Sequence, residues 1–315
     1  MAEVLVLGAG VVGLTAALVL QERGHAVTVW TREPTAATTS AVAAAIWLPY
    51  LAEPRDRVLR WSAEPYARLS QLALDPHTGV QMVTMREVFT TPPAQPWWAD
   101  AVRDLREVDP RELTAPLQSA VEATVPLCDT RRHLPWLQQR LRDGGCRIEL
   151  RAVRTLDEAF AKCERVVNCT GLGARDLCGD DSLRPVRGQV LRVAGAALPH
   201  ALIDDTAESP CYLLPRGDDT VLGGTAQPGD SRIETDAADS VRILDTCARH
   251  APALRGVTPT GVAVGLRPWR PSVRLECEDR GPGRTLVHDY GHGGSGFTLA
   301  FGCAAEVADL IAQAP

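Results

Sequence analysis

A short apolar run, Val4-Leu5-Val6-Leu7, leads directly into Gly8-Ala9-Gly10-Val11-Val12-Gly13. Residues 14–23 carry a helical pattern with Leu14, Ala17 and Leu18 on one face, Gly24 stops it, and residues 26–31 form a second β-rich run. A continuous apolar run suits a parallel strand buried on both faces. Strand, G-x-G-x-x-G, helix and strand within about 30 residues make the dinucleotide-binding βαβ unit. The three glycines serve different ends. Gly8 permits the tight turn, Gly10 lets a pyrophosphate approach the backbone, and Gly13 lets the helix pack closely on the strand. The fingerprint does not choose between NAD, NADP and FAD. An acidic residue is expected to end the second strand, but the chain reads Thr31-Arg32-Glu33 there. Arg32 is suited to reading a 2′-phosphate, which keeps an NADP-dependent dehydrogenase as an alternative.

Composition removes other classes. The 315 residues carry 33 Lys+Arg against 39 Asp+Glu, a net charge of -6, with no basic run to release counterions from a nucleic acid. No stretch approaches the roughly 18 apolar residues of a membrane span, and the N-terminus lacks the basic segment and cleavage site of a signal peptide. The expectation is a cytoplasmic protein starting at Met1. Nine cysteines, an odd number with no CxxC pair, predict neither a disulfide framework nor a zinc site. Lys162 is the only lysine, so arginine must supply any fixed positive charge.

Further along, residues 51–134 are rich in Pro and Trp, with a turn signal from Thr91 to Pro96 and then Trp97-Trp98. Residues 135–145 read as an amphipathic helix, and 146–153 and 165–171 as strands. Segments 189–193, 211–214 and 220–223 read as antiparallel strands. The implied plan is α/β: a Rossmann-like nucleotide domain from residues 1–50, 135–185 and 262–315, interleaved with an antiparallel-sheet substrate domain from 51–134 and 186–261.

Two C-terminal stretches carry a resemblance. Gly265-Leu266-Arg267-Pro268-Trp269-Arg270-Pro271-Ser272-Val273-Arg274-Leu275-Glu276 and Val287-His288-Asp289-Tyr290-Gly291-His292-Gly293-Gly294-Ser295-Gly296-Phe297-Thr298 resemble the paired motifs of the D-amino-acid oxidase family. The segment from Thr38 to Tyr50, VNCTGLGAR at 167–175 and PVRGQVLRV at 185–193 are similar to its other motifs, so the resemblance spans nearly the whole chain.

The resemblance implies FAD-dependent oxidative deamination: a D-amino acid becomes an imino acid and then a 2-oxo acid with loss of ammonia, and oxygen is reduced to hydrogen peroxide. By the same resemblance Arg274 binds the substrate carboxylate, its planar fork suiting two parallel hydrogen bonds. Tyr212 shares that carboxylate, and the backbone carbonyl of Gly294 accepts the amine. The flavin takes Gly8, Gly10, Val12 and Gly13 at its pyrophosphate, Arg32 and Glu33 near the adenosine, and Thr38, Thr39 and Ser40 along its length. Val153 falls near the adenine, Gly293, Gly294, Ser295, Gly296, Phe297 and Thr298 surround the isoalloxazine, and Trp47 and Tyr50 lie near the ring. No general base is expected, because alignment and a neutral substrate amine do most of the work.

The chain departs from the family at two places. The stretch from His200 to Tyr212 is short, with Glu208 where vertebrate members carry a second tyrosine on a lid, which implies an open entrance. Ala226 follows Gly223-Gly224-Thr225 where D-aspartate-oxidising relatives carry an arginine, so a neutral D-amino acid is expected unless Arg216 turns inward. A glycine or sarcosine oxidase and a D-aspartate oxidase are the nearer alternatives, and a flavin-free binding module is a further one. His288 and His292 have H-x₃-H spacing, but the surrounding glycines argue against a helix and no third ligand is evident, so no metal is expected. The expected partners are a small D-amino acid and oxygen; a homodimer is compatible with this reading.

Overall fold

The computed structural model describes residues 2–91, 96–195, 198–204, 206 and 210–314. The turn expected across 92–95 and the position of Glu208 lie outside the described residues. From the N-terminus the elements are β1 (Glu3–Leu7), α1 (Val11–Glu22), β2 (Ala26–Thr31), α2 (Thr39–Val42), α3 (Arg55–Leu72), β3 (Val80–Phe89), β4 (Arg106–Glu107) and β5 (Ser119–Cys128). Then come α4 (Thr130–Asp143), β6 (Arg147–Leu150), α5 (Leu156–Phe160), β7 (Arg165–Asn168), α6 (Ala174–Cys178), β8 (Arg184–Ala194), β9 (Ala201–Asp204) and β10 (Cys211–Arg216). The chain closes with β11 (Asp219–Gly223), β12 (Gln227–Pro228), α7 (Ala237–His250), β13 (Gly261–Asp279), β14 (Thr285–His292) and α8 (Gly296–Gln313).

The two halves share one sheet, ordered β4-β5-β3-β9-β10-β11-β8-β13-β14-β7-β1-β2-β6, with β12 beside β8. Between β14 and β6 every pairing is parallel, and β1 and β7 are buried along nearly their whole length, as strands covered on both faces must be. From β13 to β4 the pairings are antiparallel except β3 with β9. Strand β13 joins the halves: residues 261–269 pair with β8 and residues 274–279 with β14. Its register on β14 shifts between Trp269 and Arg274, where Pro271 lacks the N–H that a regular ladder needs.

Helix α1 is apolar on nearly every side because it has few wet faces. Leu14, Ala16, Ala17 and Leu20 are fully buried, and Phe301, Ala304 and Val307 of α8 join the same core. Gly13 shows why close packing needs glycine here, since a Cβ on it would overlap the carbonyl oxygen of Gly8. A second core lies under the antiparallel half around Trp47, Met85, Trp98, Val125 and Leu214. Helix α7 closes the opposite face of that half through Ile243 and Cys247, and its first turn is capped by Asp236, which accepts from Ala238 and Asp239 N–H at 2.8 and 3.2 Å.

Candidate active site

A cavity of about 870 Å³ begins at the carboxyl ends of β1 and β2 and reaches the junction between the halves. Ligands in open α/β sheets collect at this place, because helix N-termini and strand ends meet there. Arg32, Glu33, Arg151 and Val153 line the outer end; the Arg151 guanidinium lies 3.9 Å from the centre of the Trp30 ring. Arg32 is 72% exposed and pairs loosely with Glu33 at 3.8 Å. The middle is lined by Gly8, Gly10 and Val12 and by Thr38, Thr39 and Ser40. Gly8 holds φ +109°, a conformation that a side chain would strain. Ser40 Oγ accepts the Val11 N–H at 2.9 Å, tying this segment to the start of α1.

The inner end lies at the junction of the two halves. Tyr212 and Leu214 of β10, Gly188 and Val190 of β8, Arg267 of β13, Ile203, Ile46, Leu48 and Tyr50, and Gly293, Gly294 and Gly296 of the glycine loop all line it. Two glycines make room for its polar pair: a Cβ on Gly223 would overlap the Tyr212 ring, and one on Gly188 would overlap the Arg267 guanidinium. Arg267 Nη1 donates to the Thr225 carbonyl at 3.0 Å, which aims the fork. Burial pushes the Tyr212 phenol above its usual range, and the neighbouring Arg267 charge pulls against that. The phenol is therefore a neutral donor beside a fixed cation, an arrangement that suits a carboxylate.

Most of the expected site residues meet at this cavity, and five do not. Arg274 does not line it. Its Nη1 donates to the Tyr290 hydroxyl at 2.8 Å, and its Nε to Glu276 at 2.6 Å. The arginine at the inner end of the cavity is Arg267, seven residues earlier on the same strand. Trp47 is core: only 1% exposed, it donates to the Ser62 carbonyl at 3.0 Å and meets Tyr66 edge-on. Gly13 acts behind the wall, as described above. Ser295 and Thr298 are also behind it. Ser295 Oγ accepts from Tyr50 N–H at 2.6 Å and donates to the Tyr50 carbonyl at 2.7 Å, while Thr298 Oγ1 makes the equivalent pair with Leu48 at 3.2 and 3.0 Å. They clamp the segment that carries Leu48 and Tyr50. Gly293, Gly294, Gly296 and Phe297 do line the cavity, and a Cβ on Gly294 would press on the Tyr50 ring.

Several other charged groups around this site are paired. Tyr290 lines the cavity and donates its hydroxyl to Asp180 at 2.9 Å, and Arg270 donates to the same oxygen at 2.9 Å. Burial opposes ionisation of Asp180, but hydrogen bonds from Ser182, Tyr290 and Arg270 prevail and hold its carboxyl at about 2. Arg216 is buried beside Asp219 at 3.5 Å and does not reach the cavity. The two histidines of the H-x₃-H pair diverge. His288 turns to Glu278 at 3.0 Å, whereas His292 stands 3.1 Å from Asp289, with Cys303 close by. Burial pushes the Cys303 thiol well up, toward the neutral form that ligates metals poorly.

A glycine-rich turn opening a βαβ unit, continuous with a cavity that ends at an Arg-Tyr pair, defines a nucleotide-dependent oxidoreductase. The family model described as FAD dependent oxidoreductase (DAO) matches residues 3–310, and the chain belongs to that family. It is 44% identical over 317 residues to the D-amino-acid oxidase of Rubrobacter xylanophilus, covering 99% of this chain and 97% of that protein. It is 42% identical over 312 residues to the D-amino-acid oxidase of Streptomyces coelicolor (98% and 96% covered), and 35% identical over 326 residues to the D-aspartate oxidase of Homo sapiens (99% and 95%). Among solved structures, glycine oxidase from Geobacillus kaustophilus shares the fold with a TM-score of 0.82 at 18% identity, over 100% of this chain and 96% of that one.

Proposed function

We propose that this chain catalyses FAD-dependent oxidative deamination of D-amino acids with neutral side chains, releasing an imino acid that hydrolyses to a 2-oxo acid and ammonia. The site fits FAD: the glycine turn, the Ser40 segment and the glycine loop leave one continuous lined space where side chains would otherwise stand. Bound FAD supplies a two-electron acceptor that oxygen restores, with hydrogen peroxide as the product. The chain's own residues bind and orient. The Arg267 fork and the Tyr212 hydroxyl take the carboxylate, and the Gly294 carbonyl takes the amine. Ile203, Leu214, Ile46 and Leu48 supply an apolar wall that excludes water and accommodates the side chain. With two groups of the substrate fixed, its α-hydrogen points one way, which is where catalysis by positioning acts.

The observation that carries this reading is the Arg267-Tyr212 pair at the inner end of the cavity. The preference for neutral side chains rests on charge. Among the described lining residues the other arginines, Arg32, Arg151 and Arg154, gather at the outer end, and Ala226 adds no cation. The two-lobe division at 1–50, 135–185 and 262–315 against 51–134 and 186–261 is proposed with it, as is a cytoplasmic setting, where nine free thiols stay reduced. A homodimer is compatible with the reading. The experiment is an anaerobic spectral titration with D-alanine, D-methionine, D-aspartate and L-alanine, followed by air and a peroxide assay. Bleaching by the neutral D-isomers and recolouring with peroxide are expected. A bound flavin that no D-amino acid bleaches overturns the assignment.

A further inference from the structure

Behind the cavity wall, on the opposite face of β10, two thiols meet. Cys211 and Cys247 are both fully buried, and their sulfurs lie 3.8 Å apart, the one thiol pair in hydrogen-bond contact among the described residues. Neither belongs to the site described above, although each is joined to it. Cys211 directly precedes Tyr212. The Cys247 thiol lies 3.8 Å from the Tyr212 carbonyl and 3.6 Å from the Gly223 carbonyl. These two residues face each other in the β10–β11 ladder, and Gly223 is where the Tyr212 ring rests. His250 is the neighbouring titratable group, held by Asp204 at 2.9 Å and partly open to solvent. That carboxylate, and contact with Cys211, keep the imidazole protonated at neutral pH, so a positive charge faces the pair. The hydrogen bond with Cys247, together with burial, holds the resting Cys211 thiol neutral, which makes its oxidation slow and cumulative.

We propose that Cys211 and Cys247 form an oxidisable dithiol that the enzyme's own hydrogen peroxide converts to a disulfide, weakening substrate binding through Tyr212. The inference rests on the peroxide-forming reading given above. In the first step the Cys211 sulfur attacks one oxygen of hydrogen peroxide and the O–O bond breaks. The departing hydroxide takes a proton and leaves as water, and Cys211 becomes a sulfenic acid. The Cys247 sulfur then attacks the Cys211 sulfur, and the hydroxyl leaves with the second thiol proton as water. Two thiols lose two electrons, and one peroxide becomes two waters. Reaching a disulfide length of about 2.0 Å asks each sulfur to move by about 1 Å. The product removes the thiol hydrogen facing the Tyr212 and Gly223 carbonyls and draws α7 onto β10. A thiol reductant reverses it.

The holoenzyme is incubated in three arms: D-alanine in air, the same with catalase, and added hydrogen peroxide without substrate. Each is quenched by alkylation under denaturing conditions and digested without reduction for mass spectrometry. A Cys211–Cys247 linked peptide is expected in the first and third arms and suppressed in the second. KM for D-alanine should rise about fivefold, the worth of roughly one hydrogen bond, and return with dithiothreitol. Cys247→Ala should keep its KM through the same treatment. Both thiols recovered alkylated, after a peroxide load that oxidises the exposed Cys277, overturn the proposal, as does a linked peptide with unchanged KM. Linkage by added peroxide but not by turnover upholds the dithiol and overturns instead the peroxide-forming reading on which its oxidant depends.

Discussion

Three arginines, Arg267, Arg270 and Arg274, stand within eight residues of β13, and three different surroundings give them three roles. Arg267 faces the cavity over Gly188, Arg270 is bound to Asp180, and Arg274 is spent on Tyr290 and Glu276. Arg267→Ala is therefore expected to lower kcat/KM by roughly two to four decades while flavin stays bound, the cost of losing a fixed cation opposite a desolvated carboxylate. Arg274→Gln should stay within about fivefold of the parent, because its acidic pairings are partly exposed and Asp180 still holds Tyr290. Steady-state kinetics on both variants, with the flavin spectrum as a loading control, checks the pair; the opposite ranking would return the carboxylate to Arg274. Gly223→Ala tests the floor beneath Tyr212. A methyl there displaces the ring, and kcat/KM should fall by at least about tenfold, the lower end of what overpacking costs. Unchanged kinetics in a normally folded Gly223→Ala enzyme would show that the ring has room to give.

At the level of elements, the N-terminus of α8 acts as a clamp. Ser295 and Thr298 each bind both the N–H and the carbonyl of one residue in the 48–50 segment, so this stretch is held by side chains in the way a neighbouring strand would hold it. Ser295→Ala removes a hydrogen bond from the Tyr50 N–H at about 1 kcal/mol, while the Tyr50 carbonyl still accepts from the Gly294 N–H at 3.2 Å. A melting temperature lower by about 1–2 °C and a raised KM with little change in kcat are expected, since Tyr50 lines the cavity. Differential scanning calorimetry at saturating FAD, alongside kinetics, decides it; a lowered melting temperature with unaltered KM would confine the clamp to stability. In sequence these residues were visible only as members of a motif. The motif marks the neighbourhood of a cofactor, but which of its side chains touch the cavity depends on where the helix axis points.

For the molecule as a whole, the half-buried Asp204–His250 pair joins α7 to the end of β9 and makes stability depend on pH. The Asp204 hydrogen bond raises His250 to about 9, above its unfolded value near 6.5. Its contribution is therefore complete below about pH 6.5 and is lost as pH rises through about 9. Burial works against ionised Asp204, but hydrogen bonds from His250 and Thr206 outweigh it and hold that carboxyl low, so its share is lost only on acidification. Thermal unfolding of the parent and of His250→Gln should differ most near pH 6 and converge near pH 10. A gap that stays constant across that range would show that folding leaves the His250 pKa unshifted.

What the sequence determined by itself is what short-range chemistry encodes. The Gly8–Gly13 turn between two apolar runs specifies a βαβ unit, because only glycine tolerates φ +109° at Gly8 and the overlap at Gly13. The second C-terminal motif likewise pointed to the glycine loop, whose Gly293, Gly294 and Gly296 line the cavity. Tertiary structure alone decided which of the β13 arginines lines the cavity, that Trp47 is core, and that Ser295 and Thr298 work from behind the wall. It also placed Cys211 beside Cys247, 36 residues away in the chain. The reason is geometric. Side chains on a strand alternate faces, so the register shift between Trp269 and Arg274, across Pro271, breaks any count along β13, and how far it shifts shows only once β13 is paired with β14.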